Sequence, residues 1–224
     1  MPDRDTPASQ RKRIIYGFLL TGVAGWVDAI GFLRLGGLYT SFMSGNTTQL
    51  GIALSHGGNG LAVAAFALVM LFVAGSFVGT ILMLKVKPRP VPMLLLLEGV
   101  ILSVAAALSV KTGVLVGMLP LAFAMGLQNS TLGSAGDAHL GVTFVSGTLY
   151  RFGRDIARRV VGETGGWEWT RNGLIWLSLM VGALCGALSY AAFEVYGLGF
   201  PAVIVLMLAL WATRFASATT VRDH

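Results

Sequence analysis

The chain has 224 residues, 55% of them hydrophobic and only 12% charged, with a net charge of +6 and a mean hydropathy of +0.75. Soluble domains carry about 25% charged residues, so this composition excludes an ordinary water-soluble domain and points to lipid as the solvent. The basic balance does not mark a nucleic-acid binder, because Lys and Arg sit beside the ends of apolar runs and build no soluble basic domain.

Taken in chain order, residues 1–13 form a polar, basic tail. An apolar run over 14–32 follows, too long for a signal peptide and with no clear cleavage site after it, so it reads as a retained first helix. It contains Asp28. Leu35-Gly36-Gly37 is a turn leading into Ser41-Phe42-Met43-Ser44-Gly45-Asn46-Thr47-Thr48, a run of small and hydrogen-bonding residues. Apolar runs over 61–84 and 93–110 flank a loop of three bases and two prolines, and Pro92 opens the second of them, where a missing N–H costs least. Further apolar runs cover 114–132, 174–193 and 200–211. Several approach the roughly 20 residues that cross a bilayer core as helix, and helices satisfy their own backbone in lipid, so an all-α integral membrane protein is predicted.

The second half echoes the first. Gly25 and Asp28 align with Gly126 and Asn129, and Gly75 and Gly79 with Gly182 and Gly186. Phe42, Ser44, Gly45 and Gly51 align with Phe144, Ser146, Gly147 and Gly153, and Pro92 aligns with Pro201. We read a first membrane repeat over 14–110, a second over 111–215 and a short C-terminal tail over 216–224. Basic residues decide the relative direction of the halves. If each half has three spans and a polar segment that only dips into the membrane, the cytoplasmic side collects every Lys and Arg except Arg34 and Lys111. That predicts about six transmembrane helices in two inverted three-helix repeats, each with a re-entrant polar segment, and both termini cytoplasmic. The stretch 150–159 is too charged to cross hydrocarbon and reads as an interfacial helix.

The residues Asp28-Ala29-Ile30-Gly31-Phe32-Leu33-Arg34-Leu35-Gly36-Gly37, followed by Ser41-Phe42-Met43-Ser44-Gly45-Asn46, resemble the signature of the YoaK-like (DUF1275-type) family of bacterial integral membrane proteins. Met125-Gly126-Leu127-Gln128-Asn129 and the stretch from Thr143 to Gly147 fit the same pattern. Tyr39 stands where the family often has Phe. The resemblance implies a multi-pass protein of the bacterial inner membrane with about six helices, and it brings no established activity.

Function must therefore be argued from residues. Two polar cradles in an apolar scaffold suit a small-solute transporter or channel-like carrier, whose broken helices offer N–H groups and carbonyls to a ligand near the midplane. The candidate lining is Asp28, Ser41, Ser44, Gly45, Asn46, Thr47, Gln128, Asn129, Thr143, Ser146, Gly147 and Thr148. Asp28 is the candidate coupling or gating group, since an acid within a spanning helix costs about 2.5–3.5 kcal/mol on insertion scales and needs a cavity or a partner. The bland alternatives are helix packing by Ser, Thr and Gly, and Asp28 capping the polar stretch or pairing with Arg34. Glu98 and Glu194 read as interface residues reaching for headgroups.

A membrane enzyme acting on a lipid or small amphiphile, with Asp28 and His139 as acid–base groups, is the rival reading, and a non-transporting scaffold is a third. The sequence offers no nucleophile–base pair, P-loop or HExxH motif. Asp137 and His139 do not make a metal site, and Cys185, the only cysteine, excludes an intramolecular disulfide. No cofactor or metal is expected. The expected partners are the lipid bilayer and a small polar or ionic solute, with no nucleic acid; a homo-oligomer is compatible with the sequence.

Overall fold

Glycines end the first helix and fold the chain back onto it. In the computed structural model, which describes residues 7–86, 90–133, 145–163 and 166–220 (side chains of 7–13, 133 and 214–220 excepted), α1 spans Pro7–Leu35. It begins about two turns ahead of the apolar run, because Pro7 suits a first turn and Ala, Gln, Arg and Lys are good helix formers. Gly36 (φ 67°) and Gly37 (φ 108°) occupy backbone that other residues rarely adopt. The Gly37 N–H donates to the Phe32 carbonyl at 3.0 Å. After this turn come α2 (Met43–Ser55), α3 (Asn59–Lys85), α4 (Pro90–Lys111) and α5 (Val114–Gly133). Then follow α6 (Val145–Val160), α7 (Glu168–Phe193), a 3-10 turn (Glu194–Leu198) and α8 (Gly199–Thr220). The described residues contain no strand, as an all-α membrane protein requires.

Five helical stretches are long and apolar enough to cross a membrane: Ile14–Leu35, Asn59–Lys85, Pro90–Lys111, Val114–Leu132 and Glu168–Thr213. The last one doubles back. The Tyr16 ring meets Trp211 and the Trp26 ring meets Phe200, so α8 runs antiparallel to α1. Gly22 faces Ser178, and the Trp26 indole N–H donates to the Ser189 hydroxyl at 2.9 Å, so α7 runs parallel to α1. The chain therefore reverses at the 3-10 turn, where Glu194 takes a positive φ of 50°.

Helix pairs meet at glycine notches, and the notches recur. Gly25 of α1 lies against Leu179 and Ala183 of α7, while Gly126 of α5 lies against Phe72 and Ser76 of α3. Conversely, Gly182 and Gly186 abut Gly22 and Trp26, while Gly75 and Gly79 abut Phe123 and Leu127. The α1–α7 contacts thus map onto the α5–α3 contacts at constant offsets, one for each helix. Lipid supplies no hydrophobic drive between helices, so backbone approach at small residues carries the packing. Like α1 and α7, α3 and α5 run parallel: Ser76 reaches Gly126 and Thr80 reaches Ser130. Helices α4 and α5 form a tight antiparallel hairpin, with Gly117 against Ser109.

The largest core cluster joins both halves. Leu20, Val27 and Ile30 of α1, Leu95 and Leu102 of α4, Met118, Leu121 and Met125 of α5, and Leu198 and Val205 meet there. Outside it, α6 lies against α7, with Phe152 against Gly173 and Trp169. It carries Arg151, Arg154, Arg158 and Arg159 and exposes Tyr150 and Val160, the composition of a helix lying in the interface rather than crossing it. Arg159 sits 5.5 Å from the ring centroid of Trp167, an aromatic residue at the same level.

Candidate functional site

Because Gly36 and Gly37 turn the chain back, residues 39–42 pass beside α1 one to two turns before its end. Asp28 meets them there. Its Oδ1 accepts the Thr40 N–H (2.8 Å), the Thr40 hydroxyl (2.8 Å) and the Ser41 N–H (2.6 Å), and its Oδ2 accepts the Ser41 hydroxyl (2.6 Å). Thr40 and Ser41 are buried. A carboxylate can accept several such bonds, and these two backbone N–H groups would otherwise be orphaned just ahead of α2. Asp28 therefore has the cap role that the sequence left open beside the coupling role. Arg34 does not pair with it; its guanidinium donates to the Ser109 carbonyl at 3.3 Å.

Asn46 fastens the other end of the same loop. Its Oδ1 accepts the Tyr39 N–H at 2.8 Å and its Nδ2 donates to the Tyr39 carbonyl at 2.7 Å. The side chain is fully buried. The Tyr39 ring packs on Phe32 and edge-on against Phe42, and Gly45 lies directly under those Phe42 and Tyr39 rings, where a Cβ would collide. The polar stretch is thus held by the partly buried Asp28, the buried Asn46 and an aromatic stack.

A cavity of about 580 Å³ opens beside this loop, within the size range of small-molecule sites. Asp28, Phe32, Tyr39 and Ser41 form one wall, Val145 and Ser146 at the start of α6 another, and Leu179 and Ala183 of α7 a third. The surface is mostly apolar, with Asp28, Ser41 and Ser146 as its polar contribution. The first turn of α6 and the loop before α2 belong to the two related polar stretches, and both reach this cavity.

Other predicted residues lie elsewhere. Ser44, Thr47 and Thr48 are exposed on α2, and the hydroxyls of Thr47 and Thr48 bond back to the carbonyls of Met43 and Ser44. Gln128 is buried, with its Nε2 donating to the Leu20 carbonyl at 2.6 Å, and Asn129 donates to the Met125 carbonyl at 2.9 Å. Thr148 is buried and accepts from Arg151 at 3.1 Å, while Gly147 lies beside that same arginine. Thr143, Asp137 and His139 lie outside the described residues. Among the described residues no group of three or more His, Cys, Asp or Glu could hold a metal ion.

Glu98 differs from its expected place at the interface. It is 0% exposed, and neither carboxylate oxygen has a hydrogen-bond partner. The reason is helical phase: Leu95, Leu102 and Ala105, one, one and two turns away, form the inward stripe of α4, and Glu98 falls on it. That spacing was the sequence signal for its burial.

No solved structure matches this chain. Two transmembrane relatives are similar to it over nearly their whole length. UPF0700 transmembrane protein RA0705 of Rhizobium meliloti (strain 1021) is 29% identical over 218 residues, covering 92% of this chain and 94% of that one. UPF0700 transmembrane protein YoaK of Bacillus subtilis (strain 168) is 29% identical over 221 residues, covering 92% and 96%. The apolar helices and these relatives make the chain a multi-pass membrane protein. Residues 16–211 match the family described as protein of unknown function (DUF1275), and the chain belongs to that family.

Proposed function

We propose that this protein is a small-solute carrier of the bacterial inner membrane, built from two inverted three-helix repeats around the cavity beside Asp28. The observation that carries the reading is the convergence of Asp28 of α1 with Ser41 and Ser146, one from each polar stretch, on one cavity of about 580 Å³. Helix directions support the repeat. Helices α1 and α7 run one way, α8 the other, and the recurring glycine contacts pair α1–α7 with α5–α3. On this reading α1, α3, α4, α5, α7 and α8 are the six spans, and α2 and α6 are the re-entrant and interfacial segments.

An apolar surface with a few polar groups at one side favours a small solute with an apolar body and a polar or ionic end. Asp28 then acts as the gating group, because releasing its four hydrogen bonds frees the loop that walls the cavity. The termini, the α3–α4 connection and α6 face the cytoplasm, and Arg34 and Lys111 face the other side.

The test is flux in proteoliposomes across a panel of small amines, anions and nucleobases. Wild-type protein should move at least one class, and Ala183→Trp, which fills the cavity from the α7 wall, should abolish that flux with the protein still folded. Equal flux with the cavity filled would refute the assignment.

A further inference from the structure

Three buried acceptor atoms near the centre of the molecule lack donors: both carboxylate oxygens of Glu98 and the side-chain oxygen of Gln128. Register sets the two residues at one level of the α4–α5 hairpin. Gly117 of α5 packs on Ser109 of α4 in an antiparallel hairpin. Glu98 lies about three helical turns before Ser109, and Gln128 about three turns after Gly117, so each returns to the face its neighbour occupies and the two stand level. Leu95 and Leu102 on one side and Leu121 and Met125 on the other belong to one continuous core cluster. The Gln128 amide nitrogen is already committed to the Leu20 carbonyl, which leaves its oxygen free to accept.

A carboxylate and an amide oxygen at one level of a dry seam are both acceptors and cannot satisfy each other, and an unpaired charge in a membrane interior is expensive. One proton resolves both defects, because a carboxylic acid has an O–H to donate. We propose that Glu98 is a membrane-embedded proton-binding site and that the Gln128 side-chain carbonyl accepts the hydrogen bond from the proton it carries. Uptake forms the Oε–H bond with a proton drawn from water and leaves the side chain neutral. Release returns the proton to water and restores the charge, which requires the α4–α5 seam to open.

No other described group is placed to neutralise Glu98. Helix α5 through Leu132 and α8 through Thr213 contain no titratable side chain. On the 3-10 turn, Glu194 and Tyr196 are exposed, and Lys85 of α3 and Lys111 of α4 are exposed at helix ends. On α1, Asp28 is held by Thr40 and Ser41, Arg34 by the Ser109 carbonyl and Tyr16 by the Leu208 carbonyl.

Infrared difference spectroscopy on the full-length protein in lipid nanodiscs tests this without reference to any solute, so a failure of flux and a failure of this site are distinguishable. At neutral pH the wild type should show the C=O stretch of one protonated carboxylic acid, sensitive to deuterium exchange. Glu98→Gln should lose that band and Asp28→Asn should keep it. Absence of the band in the wild type, or its persistence in Glu98→Gln, overturns the proposal. Gln128→Leu removes the acceptor and carries the test even if Glu98→Gln does not fold. The band should then move to higher frequency as its hydrogen bond is lost; an unmoved band overturns the pairing.

Discussion

Asp28 and Ser41 share two hydrogen bonds, one to the backbone N–H and one to the hydroxyl, each 2.6 Å long. That pair, with the two bonds from Thr40, ties the polar loop to the first helix. Asp28→Ala leaves two backbone N–H groups and two hydroxyls without their acceptor. Each buried group left unsatisfied costs about 1–3 kcal/mol, so membrane abundance and melting temperature in detergent should fall sharply. Asp28→Asn keeps one acceptor oxygen, and the Ser41 hydroxyl can turn to accept from the new amide. Its loss of stability should be less than half that of Asp28→Ala. Equal losses for the two variants would show that the charge, not the hydrogen-bond pattern, holds the loop.

Asn46 and its neighbours on α2 should separate cleanly. Asn46→Ala removes both partners of the Tyr39 backbone and should destabilise by about 1–3 kcal/mol. Ser44→Ala, Thr47→Ala and Thr48→Ala alter exposed positions and should stay within about 0.5 kcal/mol of wild type. Thermal melts of the purified variants give the comparison.

The glycine notches make a symmetric prediction. Gly126→Leu and Gly25→Leu each drive a side chain into the backbone of a parallel neighbour, on α3 and α7 respectively. Both should fail to assemble, and to a similar degree. Gly51→Leu, where nothing lies within 4 Å, should be tolerated. Fluorescence-detected size-exclusion profiles would reveal a notch that matters in one half and not in the other.

Sidedness can be read by single-cysteine labelling in a Cys185→Ala background. Cysteines at Lys85 and Val161 should react only with reagent on the cytoplasmic side, and one at Thr112 only from the periplasm. All three positions are exposed. Periplasmic labelling at Lys85 would defeat the inverted arrangement.

The helices were legible in the sequence because lipid imposes a long apolar signal that local chemistry does not blur. The small-residue pairs Gly75/Gly79 and Gly182/Gly186 were legible as helix contacts by their spacing, whereas Gly25 and Gly126 stood out only as matching landmarks of the two halves. Which helix each notch meets was not legible, since that depends on how both halves interlock. Asp28, Ser41 and Ser146 were named as site residues, and the cavity gathers them. Thr47 and Thr48 share the polar run but face outward, because once α2 is helical the phase sends neighbours to different faces. Glu98 was misjudged for the same reason in reverse: distance from the helix end was weighed, and the stripe through Leu95, Leu102 and Ala105 was not.

The parallel packing of α1 on α7 has a consequence for biogenesis. Helix α1 finds its main partner in α7, which is synthesised more than a hundred residues later. Synthesis runs at about 5–20 residues per second, so α1 must wait in the bilayer for roughly ten to thirty seconds with its notches at Gly22 and Gly25 filled only by acyl chains or an insertion factor. During that interval Asp28 has only the adjoining loop to shield it from lipid. Early closure of the 36–42 turn therefore protects the nascent chain as well as shaping the finished one, and its two glycines act during translation.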